Sequence, residues 1–325
     1  MTDFTEMFSR SDAAAELPLQ LTDELVTGTI RESTALALGA KVPTTVRDSR
    51  VPVLTARPEA NWITTPDTGL AQTTKAPFEN QVLIAEELST ICTIPNTVID
   101  DSLFDLWAAV KPLLIQSMAV AVDNALIWGI NKPSTFGPSV VEATTATGTN
   151  VVEAAVYDSA TDVAKTVLDA AILVGQQGYN CDSVAVAPAW EFRAAASRTP
   201  SLIANPIGAD TPFPLLLAGM GVHTKPLRWD VSQADAIVGS WSNLLVGMRQ
   251  DISLQSFTTG VISDSSGVVQ ANLMQSNLTA VRLVMRVGFL LTNPPTDAAL
   301  DAAHRCPLAL VVNHTDSVRR SVKAK

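Results

Sequence analysis

Residues 50–94 are the feature that most constrains the fold of this 325-residue chain. They are rich in Val, Ile, Leu and Thr on both sides of a turn-forming group, Pro66, Asp67 and Gly69, and this pattern predicts two strands that double back as a hairpin. At about 3.3 Å per residue, a strand of about fifteen residues reaches roughly 50 Å, comparable with the width of a small domain. A hairpin of that length cannot bury its own faces, so we expect it to project and to need a neighbour.

A long amphipathic helix is predicted directly after the hairpin, over residues 102–129. Apolar residues recur there every three or four positions, which is the mark of a helix with one buried stripe. Acidic residues and Ser102 can cap its start. Pro112 removes one backbone hydrogen bond from the interior, so we expect either a kink or two helices joined near Val110.

The remaining segments predict a mixed fold. Residues 131–157 are rich in Gly, Pro, Ser and Thr, which indicates a loop or exposed hairpin between two lobes. A helix ending at Gly178 follows, and then strands with one further helix. Because helices and strands alternate without a regular β–α–β order, the predicted fold class is α+β. Residues 1–48 have too few aromatic residues for a core of their own, which indicates an arm that orders on a partner.

Composition and motifs argue against several functions. The net charge is −10 with 17% charged residues, the wrong sign for gripping nucleic acid. Asp123 interrupts the most apolar stretch, so no membrane span is predicted. Nucleotide-binding, zinc-protease and nucleophile-elbow motifs are all missing. The cysteines and histidines have no metal-ligand spacing: Cys92, Cys181, Cys306, His223, His304 and His314.

The order of these elements resembles the major capsid proteins of tailed bacteriophages with the HK97-like fold. Further along, SVAVAPAWEFRAA, AIVGSW, NLLVGMRQDISLQ and NLTAVRLVMRVGFLL resemble the family's later strands and helix in the same order. Each motif is ordinary by itself, and the collinear order over nearly the whole chain carries the resemblance. The single positions on which it rests are Arg50, Pro52, Trp62, Gly69, Phe78, Asp123, Trp128, Gly129 and Arg286.

This resemblance implies a division of the chain. An N-terminal arm would cover residues 1–48 and an extended β-hairpin loop residues 49–94. A peripheral lobe with the spine helix 102–129 would comprise residues 95–157 and 282–325. An axial lobe would comprise residues 158–281.

The function implied is that of a structural major capsid protein. Pentamers and hexamers of the chain would form an icosahedral shell that encloses viral double-stranded DNA without sequence-specific binding. Assembly would take place in the host bacterial cytoplasm. Implied partners are other copies of the chain, a separate scaffolding protein, a portal and a decoration protein, and no membrane. The alternatives are an encapsulin-like bacterial nanocompartment shell around a cargo enzyme and, more distantly, an α+β enzyme or ligand-binding domain.

Candidate site residues follow from the same interpretation. No catalytic, metal or cofactor-binding residue is assigned. Some members of the family link subunits covalently through a loop Lys, an Asn and a catalytic Glu. Lys75 and Asn277 match the first two, but Val284 stands where the Glu would be and cannot act as a base, so no cross-linking is expected. The expected subunit-interface residues are Leu19, Leu21, Leu25, Arg50, Arg57, Trp62, Asp67, Lys75 and Phe78.

Overall fold

The computed structural model describes residues 28–29, 32–58, 60, 62, 73–96, 106–154, 163–188, 190, 203–204, 215–217, 219–224, 229–263 and 266–313. Its α-helices are α1 Thr34–Leu38, α2 Leu106–Leu126, α3 Val140–Ala146 and α4 Val163–Gln176. Short 3₁₀ turns lie at Trp241–Asn243 and Ala302–His304. Its strands are β1 Ala40–Thr44, β2 Asp48–Leu54, β3 Phe78–Ile84, β4 Glu86–Pro95, β5 Val151–Ala154, β6 Ser183–Val186, β7 Ile203–Ala204, β8 Leu215–Leu217, β9 Met220–Thr224, β10 Ala236–Gly239, β11 Leu244–Phe257, β12 Val261–Ser263, β13 Val269–Asn272, β14 Leu278–Leu291 and β15 Leu308–Asn313.

A four-stranded sheet with the order β1-β11-β14-β4 forms the first half of the architecture. Strand β1 runs parallel to β11, and the other neighbours are antiparallel. Alternate residues of β14, such as Leu283 and Met285, are buried on one face of the sheet. Helix α2 supplies Leu114, Met118 and Val122 to the same core. The apolar face of the strand, which repeats every two residues, and the apolar stripe of the helix, which repeats every 3.6, therefore pack in one layer.

A seven-stranded sheet with the order β5-β15-β10-β6-β9-β8-β7 forms the second half. Strand β15 is buried on both faces and reads as a nearly continuous apolar run. Leu308 and Leu310 point to the core shared with α2 and the first sheet, whereas Ala309 and Val311 point to a second core built against α4. This sheet is therefore the layer between the two cores.

A buried amide network closes the end of the second sheet. Asn150 is fully buried, and its Nδ2 donates to the carbonyl oxygens of Cys306 at 2.9 Å and Leu308 at 3.1 Å. Gln177 accepts from the backbone N–H of Cys306 at 2.9 Å and also pairs with Asn150. These bonds tie the start of β5, the end of α4 and the start of β15 together.

The predicted helix is observed over Leu106–Leu126, and residues 102–105 and the predicted turn at Pro66, Asp67 and Gly69 lie outside the described residues. Strand β2 has seven residues instead of the roughly fifteen expected for the outgoing arm.

Two further corrections concern Pro112 and the returning arm. Helix α2 continues through Pro112, so the alternative of two helices joined near Val110 is wrong. One missing backbone hydrogen bond does not outweigh the apolar face that the helix buries. The returning arm of the hairpin is also divided at Ala85, because only β3 pairs with β2, while β4 joins the four-stranded sheet.

Of the predicted loop or exposed hairpin at residues 131–157, the described residues 131–154 form other structure. They contain helix α3, which begins with a capping box in which the Ser139 side chain accepts from the N–H of Glu142 and Glu142 accepts from the N–H of Ser139. They also contain β5, which pairs with β15 inside the second sheet. The Thr-rich composition favoured a loop, although Ser139 and Glu142 have the spacing of a capping box, which indicates the start of a helix.

The strands are grouped differently from the predicted lobes. Strand β11 falls in the predicted axial segment 158–281, yet it pairs with β14 from Leu244↔Leu291 to Phe257↔Ala280. Strands β5 and β15 fall in the predicted peripheral segments, yet both belong to the seven-stranded sheet. Strand pairing joins residues distant in the chain, so a division by contiguous segments misses these exchanges.

Candidate assembly surfaces

The β2–β3 hairpin is the first candidate surface. Its two strands are antiparallel from Asp48↔Ile84 to Leu54↔Phe78 and form a two-stranded sheet of their own. Val53 and Leu83 are buried, whereas Phe78 is 66% exposed and Val82 is 48% exposed. One face of the hairpin is thus held by the body of the chain, and the other presents apolar side chains outward.

The predicted interface residues fall into two groups. Arg50, Arg57, Trp62, Lys75 and Phe78 are all exposed, with Trp62 at 97%. Arg57 forms an ion pair of 2.6 Å with Asp297, and exposed pairs of this kind are worth less than about 1 kcal/mol. Leu19, Leu21, Leu25 and Asp67 lie outside the described residues.

The base of the hairpin is clamped to the four-stranded sheet. Ala85 donates its N–H to the carbonyl of Arg47 at 2.8 Å, which joins the two strands where they leave the body. The buried Leu83 side chain lies against Gly247 and Gly288, which are directly opposite each other in β11 and β14. Neither glycine was singled out from the sequence, although glycine inside an apolar strand signals a close backbone approach.

The outward face of the four-stranded sheet carries a charged cluster. Glu87 on β4 accepts from Arg282 at 3.0 Å and from Arg286 at 3.4 Å, both on β14. Val284 stands between the two arginines in sequence and faces Ser89 and Ser253 across the sheet. All three charged side chains are 37–45% exposed, so the cluster is open to a partner of this face.

The three cross-link positions are separate in the described chain. Lys75 is exposed beside the hairpin, and Val284 is a half-buried residue of β14. Asn277 is not in the strand as predicted but in the turn before it, with a positive φ of 47°. Its side-chain oxygen accepts from Asn96 Nδ2 at 2.8 Å. The turn thus engages the Asn side chain in a local bond.

Helix α1 is fixed to the long helix α2 by a carboxylate. Asp123 accepts from Ser33 Oγ at 2.6 Å, from Thr34 N at 2.8 Å and from Ala35 N at 3.0 Å. Ser33 also caps α1 by accepting from the N–H of Leu36. From the sequence, Asp123 was identified only as an interruption of an apolar stretch and as one of the positions that resemble the capsid family. Its pairing with α1 had no local signal, because 88–90 residues separate the partners.

Two further apolar features lie on the surface. A groove of about 710 Å³ runs between α2 and β4, with Leu113, Val120 and Ile130 in its lining. The β12–β13 hairpin exposes Val261 at 55% and Val269 at 60%. Both surfaces are of the kind that subunit contacts cover.

Burial and ion pairing perturb several titratable groups in the described residues. Burial raises the pKa of Tyr179 to about 12 and that of Cys181 to about 11. A hydrogen bond from Arg47 lowers the pKa of Glu86. The described residues contain no group of three or more His, Cys, Asp and Glu side chains placed to hold a metal ion. Among them, no helix is both long and apolar enough to cross a bilayer.

Known structures and families agree on one class. A solved chain from Mycobacterium phage Adephagia is similar with a TM-score of 0.71 and 25% identity, over 94% of this chain and 98% of that one. A chain from Microbacterium phage Oxtober96 gives 0.70 and 25%, over 94% and 99%. The capsid of a native GTA particle gives 0.55 and 17%, over 88% and 89%, a likeness of fold alone. No curated protein sequence matches.

The α+β fold and its similarity to these solved chains define a structural protein with the HK97-like capsid architecture. The model of the phage capsid family matches residues 15–298, and the chain belongs to that family. It is a structural subunit of a bacteriophage capsid shell, and its location is the virion capsid. The same findings favour a viral shell over an encapsulin-like compartment.

Proposed function

We propose that copies of this chain assemble into an icosahedral shell of pentamers and hexamers around double-stranded DNA. The observation that carries the proposal is the β2–β3 hairpin, which exposes Phe78 and Val82 while Val53 and Leu83 on its opposite face are buried. Exposed apolar side chains of this kind gain free energy when a neighbouring copy covers them. Head-to-tail contacts between identical copies close into rings when their rotation permits.

Each of the two sheets is assigned to one part of the proposed ring. The four-stranded sheet with α2 would form the peripheral part of each ring, and the seven-stranded sheet with its loops would form the axial part. Of the predicted arm, residues 1–48, the part that contains α1 and β1 packs on α2 and β11 of the same chain, so the proposal of an arm on a neighbouring copy is kept only for the residues before α1. This proposal retains the two lobes and assigns β5, β11 and β15 to them by strand pairing.

The proposed partners follow from charge and from the implied assembly route. A chain of net charge −10 suits enclosing DNA without binding its sequence, because like charges leave the packed polymer mobile. A separate scaffolding protein, a portal and a decoration protein complete the proposed set, with assembly in the host bacterial cytoplasm. The chain acts through contacts and performs no catalysis.

Assembly without covalent links is part of the proposal. Val284 offers no base at the position where the family's cross-linking members carry Glu, and Asn277 is engaged by Asn96. Particles dissociated in denaturant should therefore run as one band at 34.4 kDa on a denaturing gel. A ladder of covalent multimers would contradict this part of the proposal.

Expression of the chain in a bacterial host, with and without candidate scaffold genes, tests the shell itself. Negative-stain microscopy and light scattering should reveal closed particles of uniform size. Phe78→Asp and Val82→Asp should abolish them, because each buries a charge in the proposed contact. Ile172→Asp is the matched control, since Ile172 is 55% exposed on α4, away from the hairpin. Loss of shells in the control alone would assign the contact to another surface.

A further inference from the structure

Gly247 and Gly288 form a hollow in the four-stranded sheet. They are direct cross-strand partners in the antiparallel pair of β11 and β14. The side chains on the same face of the sheet, two positions away along each strand, are those of Leu245, Arg249, Arg286 and Leu290. Two facing positions without side chains leave a gap between these four.

The end of β3 fills this hollow closely. A Cβ atom on Gly247 would lie 2.5 Å from Cδ2 of Leu83, and a Cβ atom on Gly288 would lie 2.2 Å from the carbonyl oxygen of Ile84. Real Cβ atoms do not approach other heavy atoms so closely. Neither residue is among the glycines with positive φ. Both positions therefore need glycine for space and not for backbone conformation.

The hollow lies where the hairpin leaves the body. Leu83 and Ile84 are the last residues of β3, and Ala85 leads directly into β4 of the four-stranded sheet. Any change in how Leu83 and Ile84 sit on the glycines must therefore tilt the hairpin relative to the sheet.

We propose that the Gly247–Gly288 pair is the seat that sets the angle of the β2–β3 hairpin, and through that angle the geometry of contact between subunits. The second part rests on the proposed function. Strand β3 has seven residues and is about 23 Å long. A shift of about 1 Å across a seat about 5 Å wide, one strand spacing, moves the far end of that strand by about 5 Å. Gly247 and Gly288 are thus positioning residues for assembly.

Alanine variants at Gly247, Gly288 and Leu83, with a control, separate this role from general stability. In Gly288→Ala the added methyl meets a backbone carbonyl that cannot yield, whereas in Gly247→Ala it meets two side-chain ends, Cδ2 of Leu83 at 2.5 Å and Cγ2 of Thr44 at 2.9 Å. Because Leu83→Ala removes the closer of these two contacts, adding Gly247→Ala to a Leu83→Ala background should perturb the hairpin base less than adding it to wild type. Gly175→Ala is the matched control, because a Cβ there meets open space on α4.

Hydrogen exchange of the unassembled subunits is the first readout. Backbone amides of residues 78–85 should exchange at least about tenfold faster in Gly288→Ala and Gly247→Ala, since local opening of the hairpin base becomes easier. Exchange in β10 and β15 should stay at the wild-type rate. The double variant Gly247→Ala/Leu83→Ala should stay within about twofold of Leu83→Ala at residues 78–85, and Gly175→Ala should stay within about twofold of wild type.

Shell geometry is the second readout. Gly247→Ala and Gly288→Ala should give open or irregular particles by electron microscopy, and Gly175→Ala should give uniform closed ones. If the hydrogen-exchange rates of residues 78–85 in Gly288→Ala equal those of wild type, the proposal that the two glycines seat the hairpin is wrong. Faster exchange with unchanged shells would overturn their role in subunit geometry. If the wild-type chain forms no shells, the proposed function fails, while the exchange result still decides whether the glycines seat the hairpin.

Discussion

Replacing Asp123 by asparagine removes a single acceptor at the joint between α1 and α2. Oδ1 of Asp123 accepts from Ser33 Oγ and Ala35 N, and Oδ2 accepts from Thr34 N. An amide keeps one acceptor oxygen and puts an NH₂ group in the place of the other. In the present orientation, that NH₂ would face the N–H of Thr34, donor against donor.

The magnitude follows from the hydrogen bonds lost. A bond to a charged acceptor contributes about 1.5–3 kcal/mol, so Asp123→Asn should lower the free energy of unfolding by about 2 kcal/mol. Asp123→Ala removes the bonds to Ser33, Thr34 and Ala35 and should cost about 5 kcal/mol, near the low end for three such bonds. Ala35 and Leu36, which are fully buried beside α2, should then lose their fixed position.

Urea unfolding of the unassembled subunit, followed by tryptophan fluorescence, measures both changes. Asp169→Asn removes the same charge from the middle of α4 and serves as the control. Hydrogen exchange of residues 34–38 should rise in the Asp123 variants and stay unchanged in the control. A loss below about 0.5 kcal/mol for Asp123→Asn, the scale of an ordinary surface substitution, would refute the reasoning.

Three further perturbations test other parts of the fold. Asn150→Ala leaves the buried carbonyls of Cys306 and Leu308 without their donor and should cost about 3 kcal/mol in urea unfolding, and a cost near zero would contradict the buried network. Because burial raises the pKa of Cys181 from 9.0 to about 11, its thiolate fraction at pH 8 should be about a hundredfold lower than normal, and alkylation at the rate of a free thiol would oppose this. A hydrogen bond from Lys132 lowers the pKa of Glu142 below 4.5, so its stabilisation is complete above pH 4.5 and lost as the pH falls through the lowered value. The difference in free energy of unfolding between wild type and Glu142→Gln should therefore shrink in acid. A difference that grows in acid would contradict a lowered pKa of Glu142.

The elements with a regular period were the predictable part of this fold. The spacing of three and four residues predicted α2, and the apolar runs predicted β6, β10, β11 and β14 near their observed positions. These signals are local, so one sequence contains them.

Contacts between residues that are distant in the chain could not be predicted from the sequence. Nothing near Gly247 indicates that it faces Gly288, since the register of β11 on β14 depends on two strands meeting in space. The partners of Asp123 and the sheet membership of β5 have the same origin. The hairpin was predictable because an alternation of strand and turn residues is local, whereas the seat under it was not.

A reconstruction of the assembled particle by electron cryomicroscopy, at a resolution that traces the β2–β3 hairpin, tests the central claim most directly. We predict that the face bearing Phe78 and Val82 lies against a neighbouring copy in every subunit, with Leu83 seated on Gly247 and Gly288. Closed particles in which this face stays open to solvent would contradict the claim that the hairpin builds the shell.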